Sequence, residues 1–257
     1  MQGSIQVSAA PRVQYLLRIA DSALILAQRT SEWTGHAPVL EEDIALANMA
    51  LDLLGQARAL LAHAGQLEAS GLDEDQLAFL REERDYRNVT LVELPRGDFA
   101  VTQLRNAIMA TFFKLLWERL ATSSHAELAA IAGKAVKEAR YHQQHAADWV
   151  VRLAGGTDES RRRTERALVD LWRYTAELFA SDAVDAYAAE AQLGPRWGDL
   201  REPWLAEMKQ VLDEAALPLP ADTPFLSTGK TGVHSEHMGP LLAEMQYLQR
   251  AYPGGVW

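Results

Sequence analysis

The sequence predicts an all-α protein, a four-helix bundle over residues 11–154 with additional C-terminal helices in an annex and tail over residues 155–257, the whole of 1–257 forming a single domain. Two observations carry this. Apolar residues recur at spacings of three and four through four long segments, the pattern of helices that each bury one face. Glycine is scarce inside those segments, and proline falls at their starts or between them.

Taken in order, Val13, Leu16, Leu17, Ala20, Leu24 and Ala27 mark the buried face of a first helix that ends near Glu32. A loop with Gly35 and Pro38 leads into a second, from about Leu40 to Gln66, with Ile44, Ala47, Leu51, Leu54 and Arg58 stacked along it. Residues 73–85 read as a short charged helix. Val89 to Leu94 is the one plausible extended stretch, closed by Pro95 and Gly97. A third long helix runs from about Phe99 to Ala121. Ser124 followed by Glu127 has the spacing of a capping box and opens the fourth, which reaches Leu153 and stops at Gly155-Gly156. One further helix is expected over roughly 160–191, and another begins at Pro203 and ends before Pro218.

Composition narrows the function classes. Of 257 residues, 48% are apolar, so a sizeable core is expected. Acidic residues outnumber basic ones 35 to 25, a formal charge of −10, which argues against nucleic acid as a partner because phosphate contacts need a basic surface. With no cysteine there is no disulfide, thiolate catalysis or zinc-thiolate site, and a cytoplasmic location is expected. Met1 to Ala10 lacks the basic start and apolar core of a signal peptide, and no apolar run of membrane-spanning length is expected.

Two helices carry a metal-binding pattern with its ligands removed. Di-iron bundles place a Glu three residues before a His, so that both project inward from one face. In Asp52-Leu53-Leu54-Gly55-Gln56, Leu53 holds the Glu position and Gln56 the His position; in Lys137-Glu138-Ala139-Arg140-Tyr141-His142, Ala139 precedes His142. Counting back about 30 residues, the span of paired helices, places the two lone-carboxylate positions near Ser22 and Ala110. Of these six positions only His142 can ligate a metal. The residues therefore indicate a ferritin-like bundle with no catalytic, cofactor-binding or metal-binding residue of its own.

Other polar residues have competing readings. Asp52, flanked by leucines, either pairs with Arg18, Arg58 or Lys114 in place of iron or faces water. Glu138, His142 and His145 share a helix face, more simply an ordinary helix-face group than a surface metal site. Ser227 to Gly232 suggests a phosphate loop, but Pro224 stands where the first glycine belongs, so nucleotide hydrolysis is rejected. The loop 218–233 is long enough for a functional or partner-facing role. Beyond it, His234 and His237 precede a helix with Leu241, Leu242, Met245 and Leu248 on its apolar face, Tyr247 beside them and Trp257 at the end. This tail is expected to dock, with His234, His237, Leu241, Met245 and Tyr247 facing a partner.

Several of these stretches together carry a family resemblance: Glu32-Trp33-Thr34-Gly35-His36-Ala37-Pro38, Leu51 to Arg58, Lys137 to His142, Gly229 to Pro240 and Leu242 to Arg250. The sequence resembles the C subunits of bacterial phenylacetyl-CoA epoxidases from Tyr15 onward. The resemblance implies a multicomponent monooxygenase of aerobic phenylacetate breakdown. In it a ferritin-like A subunit holds the di-iron centre, B and D subunits and an NADPH-dependent reductase complete the system, and the C subunit is a structural partner without cofactor. The long helices near Leu40–Gln66 and Phe99–Ala121, with the tail after His234, are expected to serve assembly. Two other classes stay open: an independent di-iron oxygenase using Glu138, His142, Asp52 and Glu32, and a structural homodimer unrelated to any oxygenase.

Overall fold

In the computed structural model, residues 3–68 and 71–255 are described; Trp257, the end of the expected docking tail, lies outside them. Helix α1 (Pro11–Ser31) begins on Pro11, whose missing N–H costs nothing in a first turn. Helix α2 (Leu40–Leu67) opens with Glu41, Glu42 and Asp43, which complement the positive end of its dipole. The short α3 (Glu74–Phe79) is closed by a reciprocal cap between Asp73 and Gln76, and α4 (Thr90–Glu93) is a single turn. Asp98 accepts from the Val101 amide to start α5 (Phe99–Leu120), and α6 (Ala126–Ala154) returns alongside it. The remainder comprises α7 (Asp158–Trp172), α8 (Ala176–Phe179), α9 (Ala183–Glu190), α10 (Arg201–Glu214) and α11 (Met238–Ala251).

The main contacts pair α1 with α2 and α5 with α6, and α2 meets α6. The annex closes the other side: α9 lies on α1, and α7 and α10 lie on α5. This explains why α5 does not read as amphipathic and why α1 is buried beyond the one face its sequence marks. Residues 13–27 and 102–113 are buried without interruption, sandwiched between the outer helices and the annex. One apolar core runs from Val13 to Leu242 through both parts. A ladder of rings crosses the boundary, from Tyr15 through Trp197, Phe112 and Phe179 to Trp204 and Trp172. The Trp204 indole N–H donates to the Ile108 carbonyl at 3.0 Å, so the anchor is polar as well as apolar.

Several local expectations are corrected. Val89 to Leu94 is not a strand: Val89 and Leu94 are extended, but Thr90–Glu93 between them forms α4, packed beside α1. Ser124 does not cap α6; its hydroxyl donates to the Gln192 carbonyl, and His125 precedes the helix without a side-chain cap. The helix expected over 160–191 is three, α7 to α9. Asp182 turns away from the helical path, caps α9 through the Val184 and Asp185 amides, and pairs with Arg18. Residues 73–85 divide into α3 and a 3-10 turn, Glu83–Asp85. Contrary to the expectation from the sequence, α2 is by length and composition long and apolar enough to cross a membrane; here its inner side packs on α1 and α6.

The loop 218–233 and the tail are bound to this chain's own bundle. Glu177 accepts from the amides of Thr90 (2.9 Å) and Lys230 (2.8 Å) and from the Ser227 hydroxyl (2.7 Å). At Gly229 a Cβ would lie 2.4 Å from the Asn88 carbonyl, which is why only glycine fits there. Asp21 accepts from the Arg87 amide at 2.8 Å and is paired with Arg81, both side chains being fully buried. The Arg81 guanidinium also stacks 4.1 Å over the Tyr86 ring. Burial pushes against the charge on Arg81, but Asp21 more than offsets it and its pKa is raised. Arg81→Met should lower unfolding free energy in urea by about 3–5 kcal/mol, since it strands a buried carboxylate. Adding Asp21→Leu should recover part of that loss, although the Arg87 amide then lacks its acceptor. A single-variant cost under about 1 kcal/mol would show that the pair does not organise this region.

Candidate functional site

The degenerate positions converge where α1, α2, α5 and α6 meet. Leu53, Gln56, Ala110, Ala139 and His142 line one cavity of ≈ 10 Å³, together with Leu26, Met49, Asn106 and Phe113. That volume is about one water-sized sphere, so side chains fill the space that a metal pair would occupy. Ser22 is the exception among the six. Its hydroxyl accepts from the Val89 amide at 3.2 Å, and Leu26, one turn further along α1, takes the cavity-facing place. The count of about 30 residues was therefore one turn too long on α1, since Leu26 lies 27 positions before Leu53.

His142 is buried and its Nε2 lies 3.0 Å from Asp52 Oδ2. Burial pushes the imidazole below its ordinary value, more than Asp52 and Glu138 raise it, so neutral His142 donates Nε2–H to the carboxylate. Arg18, Arg58 and Lys114, the expected partners of Asp52, are engaged elsewhere, with Asp182, Glu74 and Glu207. The Asp52 side chain is 38% exposed, so both readings of it apply in part: it reaches inward to His142 and keeps a face to water. Across the same helix pair the Gln56 amide donates to Glu138 Oε2 at 2.9 Å.

This donor set does not fit a di-iron centre. One imidazole already bonded to Asp52, one amide and a lining of Leu, Ala and Phe supply no carboxylate bridge. Among the described residues no three His, Asp or Glu side chains are placed to hold a metal ion. The Glu138, His142 and His145 group is split: Glu138 takes Gln56, and His145 Nε2 sits 2.9 Å from Glu42. Glu32 is drawn to Arg29 at the far end of α1. Asn106, 3% exposed on α5, was not foreseen; neither of its amide atoms has a partner among the described residues, and nothing in the spacing of the sequence singles it out.

The partner-facing assignments need the largest correction. The His234 side chain is fully buried, with Nδ1 2.8 Å from Glu93 and Nε2 3.2 Å from the Tyr86 carbonyl, so both nitrogens are used inside the fold. Burial opposes its protonation, but the bond to Glu93 and the charges of Glu93 and Asp21 prevail, and its pKa is raised. Leu241 is 6% exposed in the core, Met245 packs against it, and His237 is half-buried. Only Tyr247, 63% exposed, lies open to solvent. The helix is docked as expected, but onto α3 and the turn beside it: Gln246 donates to the Arg81 carbonyl and to the Tyr86 hydroxyl.

The two histidines give opposite pH dependences. His142, with its pKa lowered on folding, leaves the unfolded chain binding more protons, so its contribution to stability falls as pH drops below about 6.5. His63, also lowered by burial, adds to this. His234, with its pKa raised, stabilises fully below about 6.5 and loses that contribution as pH rises through its folded value. Urea unfolding of His142→Gln should show a shallower loss on acidification than the parent, and His234→Gln a shallower loss on the alkaline side. Parallel curves for parent and variants would refute both assignments.

Known proteins share this chain's sequence along nearly its whole length. The family described as phenylacetic acid catabolic protein matches residues 2–257. The chain is 48% identical over 243 residues to the C subunit of 1,2-phenylacetyl-CoA epoxidase from Escherichia coli (strain K12), covering 95% of this chain and 98% of that relative. An all-α ferritin-like bundle is the fold of that family and of this chain. The protein therefore belongs to the phenylacetic acid catabolic protein family.

Proposed function

We propose that this chain is the structural, non-catalytic C subunit of a cytoplasmic phenylacetyl-CoA epoxidase and pairs with a di-iron A subunit of the same complex. The B subunit and the reductase join through that complex. The observation that carries the reading is the bundle centre: a relative of an oxygenase subunit keeps the helices of a metal site but fills it with Leu53, Ala110, Ala139 and a hydrogen-bonded Gln56. Such a chain contributes binding surface in place of redox chemistry.

The surface most suited to the A subunit is the outer face of α2. Leu40, Ile44 and Leu51 are 73%, 54% and 63% exposed and lie on one stripe at spacings of four and seven. Tyr141, 53% exposed on the neighbouring α6, extends it. A contiguous apolar stripe on an outer helix is a mark of an interface, since water gains by its removal. The other long helix expected to serve assembly, α5, is enclosed by α6, α7 and α10 and has little free face.

Two measurements test this. Elemental analysis of the chain purified alone from iron-supplied cells should give near-zero iron, also for Ala139→Glu, which restores one of several missing ligands; about two irons per chain would overturn the reading. Co-expression with an A subunit should yield a stable complex whose recovery falls at least about tenfold in Ile44→Glu/Leu51→Glu, with the isolated variant melting as the parent does. Two-fold self-association that ignores the A subunit would instead establish the homodimer.

A further inference from the structure

The wall of the central cavity is apolar for the most part, but two buried amides interrupt it. Gln56 on α2 is 4% exposed, and Asn106 on α5, one turn before Ala110, is 3% exposed. Both line the ≈ 10 Å³ space, opposite side chains such as Leu26, Leu53 and Phe113. The Gln56 amide is oriented by Glu138. A carboxylate only accepts, so Nε2 donates to it at 2.9 Å and Oε1 is the other end. That Oε1 is buried and has no partner among the described residues, and the same holds for Oδ1 and Nδ2 of Asn106. Three unbonded polar atoms from two helices therefore belong to the lining of one small cavity.

An amide taken out of water is costly unless it is hydrogen-bonded, and buried polar groups are bonded as a rule. The neighbouring inward positions show the alternative: Leu53, Ala110 and Ala139 carry no polar atom at all. Leucine has the branching of asparagine at position 106, so shape does not distinguish the two there; the amide's donor and acceptor do.

We propose that the cavity is a binding site for one internal water molecule, which bridges Gln56 Oε1 on α2 to the Asn106 amide on α5. A volume of about 10–15 Å³ on this measure holds one water, and two acceptors with a donor match the about 2–4 bonds that buried waters make. The competing ligands fit less well. No carboxylate lines the cavity to balance a metal cation, and His142 already gives its Nε2–H to Asp52. An ammonium ion has the size of water but accepts nothing, so it leaves the Asn106 N–H unbonded. The bridge also has a structural use. The main contacts of the bundle pair α1 with α2, α5 with α6 and α2 with α6, so a water between α2 and α5 ties two helices across the bundle. The site lies within this chain and does not rest on the subunit reading.

The test is a high-resolution crystal structure of the full chain, with data collected also at the iron absorption edge. A spherical peak without anomalous signal is expected about 2.7–3.2 Å from Gln56 Oε1 and from an amide atom of Asn106. Oxygen-17 relaxation dispersion, which counts long-lived internal waters in solution, supplies a second reading. Asn106→Leu keeps the branching and removes both amide atoms, so it should hold one such water fewer than the parent. Gln56→Met, which removes the acceptor on α2, should lose the same one. Cooperative melting of each variant separates a lost water from a lost fold, and if neither variant folds the density of the parent alone decides. A parent cavity without density would overturn the proposal, as would an anomalous peak at that place or an unchanged water count in a folded Asn106→Leu.

Discussion

Buried carboxylates organise this protein. Asp21 on α1, Glu93 on α4 and Glu177 on α8 are each at most 1% exposed, and an ionised carboxylate out of water must be surrounded by donors. The donors come from distant segments: the Arg81 guanidinium and Arg87 amide for Asp21, Asn88, His234 and the Ser235 amide for Glu93, and the Thr90 and Lys230 amides with Ser227 for Glu177. Each acid thus ties a remote loop to the bundle, and none can be satisfied unless the chain between them is folded. The run Gly229 to Pro240, which has no regular secondary structure beyond a 3-10 turn and the start of α11, is held in one conformation by these bonds.

The same electrostatic rule explains the interior that has lost its ligands. A metal site gathers carboxylates that only a cation makes tolerable. Here the inward positions are Leu53, Ala110 and Ala139, and the remaining polar pairs, His142 with Asp52 and Gln56 with Glu138, place each carboxylate toward the helix edge, where water shares the charge. The centre is packed to ≈ 10 Å³ of free space.

The annex has a second consequence. By covering α1 and α5 from behind it turns both into fully enclosed helices and brings Trp172, Trp197 and Trp204 to the seam. Aromatic side chains supply large buried area at low entropy cost, so the seam is rigid.

Sequence periodicity was enough to place the four long helices, but on α2 the stripe it marked, with Ile44 and Leu51, is exposed, and the buried face is Leu46, Met49, Leu53 and Leu60. The loss of ligands was also legible, since Leu and Ala exclude metal binding by their chemistry alone, and Leu53, Gln56, Ala110, Ala139 and His142 do meet in one cavity. What pairs with what was not legible. Arg18 reaches Asp182, 164 positions away, and His234 reaches Glu93, 141 positions away, and no local pattern encodes such a distance. For that reason residues of the tail with the look of a docking surface, His234 and Leu241 among them, lie inside, and Val89 to Leu94 with the look of a strand holds a helical turn. Local chemistry determined which segments are helical and which inward positions carry no metal-ligating side chain; only the tertiary structure, by deciding which buried charge meets which donor, decided what faces inward and what is left exposed.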